Sequence, residues 1–191
     1  MTEHRGDDRR VRRTRAQLRR ALTQLLAEKE LRSITVRELT DRADVNRGTF
    51  YAHYRDIYDL MERLENEFFT ELHQRLPRYT PQQLRGDLTP VLEDVLRLVA
   101  ENRDLLPSLL DAGSADRFFA RLSEVIFDMY RRQWGLVYSL GDGAEVNYCL
   151  SFVVSGMMGL VRAWARQGFQ ESPAAIAALA GRLIRSGLQS P

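Results

Sequence analysis

Apolar residues recur at spacings of three and four almost throughout this chain, and strand-like alternation is nearly absent. That period points to amphipathic helices that bury one stripe each, so the expected fold is all-α with about nine helices. Leu18, Leu22, Leu25 and Leu26 form the stripe of a first helix, roughly Arg12 to Lys29. Thr35 followed by Glu38 has the capping-box spacing, which predicts a second helix from Val36 to Ala43. Asn46 is placed to cap a short third helix, Arg47 to His53. Asp56 then caps a long fourth helix carrying Leu60, Leu64, Phe68 and Leu72, which ends before Pro77.

The segment 78–86 reads as a loop. Thr89 and Pro90 open a further helix, a helical turn covers Leu105 to Leu110, and Ser114 opens the next. Gly135, Gly141 and Gly143 separate that from a long apolar helix, about Ala144 to Gln167; Ser172 and Pro173 begin the last. The expected organisation is a flexible basic arm at 1–11, a three-helix head at 12–55 and a helical body at 56–191.

Overall charge is nearly balanced, with 28 basic and 26 acidic side chains among 191 residues. Its distribution is uneven: residues 1–60 carry 14 basic against 10 acidic groups, residues 61–191 carry 14 against 16. The first 20 residues alone hold eight arginines and three acids, which fits either an anion-binding arm or a solvated tail. One cysteine, Cys149, and three scattered histidines supply neither a disulfide framework nor a metal-ligand cluster, so no cofactor is expected. The N-terminus lacks an apolar core of the signal-peptide kind. The longest weakly polar run, Cys149 to Val161, falls short of the ~18 to 20 residues of a membrane span. A soluble, cytoplasmic chain without membrane contact is expected. No nucleophile–base pair or phosphate-cradling glycine loop is present, so an enzyme is not expected, and Glu62, Glu65 and Glu67 read as a solvated helix face.

The stretch Ile34 to Leu60, ITVRELTDRADVNRGTFYAHYRDIYDL, carries the functional signal. Two short helices joined by a turn, the second rich in exposed hydrogen-bonding side chains, have the layout of a helix-turn-helix. Arg47 suits guanine O6 and N7, and Thr49 suits a thymine methyl or a base acceptor. Tyr51 and His53 suit phosphate oxygens, although His53 is equally placed to cap or pack. Gly48 lets the backbone approach DNA, and Thr35 leaves the start of the second helix aimed at a phosphate. Asn46, Tyr54, Arg55 and, from the first helix, Arg13 complete the expected DNA-binding set. Val36, Leu39, Ala43, Val45 and Phe50 are the expected internal contacts.

This stretch, as ITV.EL..RA.V.RGTFY.HY.D..DL, resembles the DNA-binding domain of TetR-family transcriptional regulators over about residues 12–60. The resemblance implies an all-helical homodimer, paired through its last two helices, whose C-terminal domain binds a small effector. It places Thr35, Arg47, Thr49, Tyr51 and His53 where the family contacts DNA. Two residues depart from the pattern. Ile57 stands where a phosphate-binding lysine is common, leaving Arg55 as the substitute, and Asp44 stands where the turn usually has glycine, which requires Asp to accept a positive φ. The stretch GLVRAWARQGFQESPAAIAAL is similar to the end of the dihydroxyacetone-kinase-operon regulator subgroup.

In the body, Phe118, Leu122, Phe127 and Tyr130, with Trp134, Tyr148 and Phe152, either line an effector pocket or are simply core. Ser151, Ser155 and Gly159 make a ridge of small residues that permits close helix approach. With the last helix, through Ile176, Leu179 and Leu183 and the small Ala175, Ala178 and Gly181, it forms either a four-helix dimer interface or an internal contact. The expected partners are double-stranded DNA, a second copy of the chain and a small-molecule effector. The expected function is a homodimeric repressor released from a pseudo-palindromic operator. The alternative is a helical interaction module, or a co-regulator-dependent transcription factor with no small-molecule ligand.

Overall fold

The computed structural model describes residues 3–80, 82–83, 87–109, 115–132 and 144–188. All regular structure among the described residues is helical. The head contains α1 (Glu3–Glu28), α2 (Val36–Ala43), α3 (Arg47–Tyr51) and the first half of α4 (Ile57–Arg75). The body contains α5 (Thr89–Glu101), α6 (Leu106–Leu109), α7 (Ala115–Arg132), α8 (Ala144–Arg166) and α9 (Pro173–Leu188). Leu31–Ser33 and Leu76–Arg78 are single 3-10 turns, the second opened by Pro77, which cannot continue an α-helix.

The chain divides into two compact units, Met1–Glu67 and Phe68–Pro191. The expected boundary at residue 55 lies too early. Ile57, Leu60, Met61 and Leu64 bury themselves with the head, so the first half of α4 completes its core rather than opening the body. Over the whole unit, residues 1–67, Arg63 and three glutamates join the groups counted to residue 60, and the basic excess falls from four to two. The helical start is also earlier than expected: α1 begins at Glu3, so residues 3–11 continue the helix instead of forming a flexible arm. Arginine is a good helix former and no proline interrupts the segment.

In the head, Leu18, Ala21, Leu22 and Leu25 of α1 are buried together with Ile34, Leu39, Ala43 and Phe50. Each leucine, isoleucine or phenylalanine among them contributes roughly 1.5 to 3 kcal/mol when fully removed from water, before the entropy of ordering it is subtracted. Salt bridges fix the join between α1 and α2: Arg42 grips both oxygens of Glu28 at 2.8 and 3.1 Å, and Lys29 pairs with Glu38.

In the body, α9 lies along α5, and α7 along α8. Gly181 is buried at the first of these contacts; a Cβ there would stand 3.1 Å from Thr89 Oγ1. Arg185 reaches Asp87 at 3.1 Å on the same side. Phe118 of α7 packs on Phe68 and Phe69, with ring centroids 5.6 and 5.1 Å apart. Arg75 binds Glu101 at 2.6 Å and Glu71 at 3.2 Å, tying the end of α4 to α5.

Between α8 and α9 the turn is tightly closed. Gly168 and Phe169 both have positive φ, +73° and +56°, and the Phe169 N–H donates to Trp164 O at 3.0 Å, the 6→1 bond of a Schellman cap. The Trp164 ring is buried, meets Phe169 edge to face at 4.8 Å, and donates its indole N–H to Glu171 O. Ser172 then caps α9 by accepting the Ala175 N–H at 3.2 Å, as its position before Pro173 predicts.

Candidate nucleic-acid interface

Local side-chain bonds shape the helix-turn-helix. Thr35 Oγ1 accepts the Glu38 N–H at 3.2 Å, and the Thr35 N–H donates to Glu38 Oε2 at 3.0 Å, which completes the expected capping box. Lys29 first, and then these bonds from Thr35, hold the Glu38 carboxyl at a pKa of about 2, well below its ordinary 4.5. Asp44 ends α2 in the left-handed region, φ 53° and ψ 48°. The Val45 N–H then reaches back to Thr40 O at 3.0 Å, so Asp performs the turn that glycine usually makes.

Asn46 caps α3 by accepting the Gly48 N–H at 2.7 Å. Phe50 is fully buried and anchors the helix on the head core. With that face fixed, Arg47, Gly48 and Tyr51 face solvent, and Thr49 and His53 are half-buried beside them. Arg13 is exposed on α1. α3 is shorter than expected, ending at Tyr51, because the His53 N–H bonds to Phe50 O in a tighter turn.

Tyr54 does not belong to this surface. It is 5% exposed, packs against Phe50 at 5.5 Å and lies under the Arg63 guanidinium at 5.3 Å, so it is a core residue of the head. Burial pushes its phenol pKa upward. Ile57 is buried too and offers nothing to phosphate, whereas the Arg55 side chain is 82% exposed. Arg55 stands beside Asp59, a carboxylate that accepts the Arg55 N–H at 2.9 Å and pairs with Arg63 at 3.4 Å. The Arg55 backbone bond is the main cause holding the Asp59 pKa below its ordinary value.

Two exposed head residues escape the sequence reading, Arg37 in the first turn of α2 and Tyr58 in the first turn of α4. Their signal is the facing of each helix: the buried Leu39, Thr40 and Ala43 turn Arg37 outward, and the buried Ile57 and Leu60 do the same for Tyr58.

The residues expected in a body pocket separate into two groups. Phe118 is buried, and Leu122, Phe127 and Tyr130 are half-buried along α7. Tyr148 and Phe152 are instead 76% and 66% exposed on α8, so among the described residues neither is enclosed. Trp134 lies outside the described residues. Ser151, Ser155 and Gly159 share that exposed side of α8; on α9 Leu183 is exposed and Leu179 half-buried. Ile176 and Gly181, expected toward a partner copy, are buried inside the chain, because α9 turns that side onto the body. α8 is, among the described residues, a helix long and apolar enough to cross a membrane, longer than the run Cys149–Val161 suggests.

A capped helix-turn-helix on a separate helical body is the architecture of a bacterial DNA-binding regulator, and comparison with known proteins identifies which kind. Residues 86–186, more than half of the chain, match the TetR-type transcriptional regulator C-terminal region. Residues 18–64 match the bacterial regulatory proteins of the tetR family. The chain belongs to the TetR family. Over 108 residues it is 36% identical to the uncharacterized HTH-type transcriptional regulator YxbF of Bacillus subtilis (strain 168), taking in 54% of this chain and 28% of that protein. The chain thus spans little more than a quarter of that relative's length.

Among solved structures, the dihydroxyacetone kinase operon activator DhaS shares the fold with a TM-score of 0.64 at 15% identity, over 92% of this chain and 96% of that one. The fatty acid degradation regulator FadR from Bacillus halodurans gives 0.66 at 14%, over 93% and 97%. NalD, the secondary repressor of the MexAB-OprM multidrug efflux pump in Pseudomonas aeruginosa, gives 0.60 at 17%, over 93% and 98%.

Proposed function

We propose that this chain is a sequence-specific DNA-binding transcriptional regulator that acts as a homodimer and represses from a pseudo-palindromic operator until a small effector releases it. One observation carries the reading: a short helix, capped by Asn46 and anchored by Phe50, holds Arg47 and Tyr51 out to solvent. That is the arrangement needed to place an arginine fork at a guanine edge in the major groove. Thr49 and His53 flank it, and Arg13 and Arg55 add cations for the backbone.

The exposed side of α8, with Tyr148, Ser151, Phe152, Ser155 and Gly159, is the face offered to a second copy. The half-buried apolar side chains of α7, Leu122, Phe127 and Tyr130, are the walls offered to an effector, which favours an apolar one. The chain acts in the cytoplasm and has no enzymatic role.

Selection of bound duplexes from a random pool tests this function. An enriched pseudo-palindrome is expected, with half-sites about 34 Å apart or a small multiple of it. Arg47→Ala is expected to lose preference at one base per half-site, on the order of 1 to 3 kcal/mol. A pool that returns no motif overturns the reading. Repression is tested separately, by reporter expression from the selected site with and without the protein.

A further inference from the structure

The DNA backbone presents only acceptor oxygens, so a side chain that holds it needs donors to spare. Thr35, which the resemblance sets among the DNA contacts at the start of α2, has none left. Its hydroxyl donates to Glu38 Oε2 at 2.9 Å, and its N–H donates to the same oxygen at 3.0 Å. The Glu38 carboxylate, ionised throughout the neutral range, already occupies the place a phosphate would take on Thr35.

Arg37, two residues on, is the opposite case. Its side chain is 80% exposed, and the nearest acidic oxygen, Asp41 Oδ2, is 3.8 Å from Nε, beyond hydrogen-bond reach. Other basic side chains around α2 are engaged. Lys29 is on Glu38, Arg32 Nε is 2.6 Å from Glu30, and Arg42 is held by both oxygens of Glu28. Because Leu39, Thr40 and Ala43 face inward, Arg37, Asp41 and Asp44 share the outward face of α2. The cation stands at its first turn and the two acids at its far end. That polarity attracts the backbone to the start of the helix and repels it from the end.

Arg55 repeats the device beyond α3: an exposed arginine with an aspartate four residues on, 3.9 Å away. We propose that Arg37, not Thr35, is the residue by which α2 holds the DNA backbone, with Arg55 as its counterpart on the other side of α3 in the chain. In a helix-turn-helix the helix before the recognition helix crosses the backbone. The inference rests on the DNA-binding reading above and deepens it.

Binding of the full chain to a mixed-sequence duplex, and to the duplexes selected above, is measured across a salt series for wild type, Arg37→Ala and Arg37→Lys. Wild-type log K is expected to fall steeply with log salt. Arg37→Ala is expected to flatten that slope by about 0.9 per head and to weaken selected and mixed DNA by the same factor. Arg37→Lys keeps the slope, because the cation remains, and thermal melting is unchanged in both variants. An unchanged slope in Arg37→Ala overturns the inference, as does a loss confined to the selected sequence, which is the mark of a base contact. Wild type that binds neither duplex at low salt overturns the DNA-binding reading together with it.

Discussion

The Asn46 side-chain oxygen accepts the Gly48 N–H at 2.7 Å, and a Cβ at Gly48 would stand 3.1 Å from that same oxygen. The cap and the glycine are therefore coupled: a side chain at position 48 crowds the oxygen that starts the recognition helix.

This relationship separates the two tasks of Asn46. Asn46→Ala removes the cap and is expected to cost about 1 kcal/mol of stability, read from chemical denaturation. Asn46→Asp keeps an oxygen for the Gly48 N–H and is expected to leave stability near wild type. It also sets a negative charge on the DNA side, so its affinity for selected duplexes is expected to fall. An Asn46→Asp chain that binds as tightly as wild type rejects a DNA-facing role for this residue.

Acid is expected to loosen the head through Glu38. Its folded pKa of about 2 lies below its ordinary 4.5, so the charged form is the one favoured by folding. The contribution is complete above pH 4.5 and disappears as pH falls toward about 2. Glu38→Gln removes it. Wild type minus variant melting temperature is therefore expected to be constant near neutrality and to shrink below pH 4.5. A difference that stays constant down to pH 2.5 contradicts the low pKa.

Much of the head was legible because its decisive features are local. The capping box of Thr35 and Glu38, the Asn46 cap and the need for a positive φ at Asp44 all follow from residues within five of one another. Features that depend on returning chain were not. Tyr54 looks like one more polar aromatic beside Tyr51 and His53 until Arg63 of α4 covers it. In the body, a stripe of aromatics has the same spacing whether it faces a core or a partner. Phe118 inward and Phe152 outward are decided by which neighbouring helix arrives.

Gly181 shows the same ambiguity in α9, and a substitution resolves it. Its buried contact with Thr89 is internal, so Gly181→Val forces α9 away from α5. Overpacking of this kind is expected to cost about 1 to 3 kcal/mol, measured by denaturant unfolding. Sedimentation under native conditions is expected to give the wild-type assembly state. If Gly181→Val instead dissociates the assembly at unchanged stability, the small residue faces a partner copy.

Phe152 is the strongest test of the partner face. A phenylalanine 66% exposed on a helix this apolar leaves a large hydrocarbon surface in water, on the same side as the still more exposed Tyr148. Among the described residues nothing stands within 4 Å of a Cβ built at Gly156 or Gly159, and such a notch can receive a ring from a second copy. Phe152→Asp places a charge in that contact. It is expected to shift sedimentation from dimer toward monomer, while helical content stays unchanged, because the ring supports little within its own chain. DNA affinity should fall with it, since a single head gives up the second half-site. A Phe152→Asp protein that sediments as wild type at micromolar concentration rules out this face as the dimer contact.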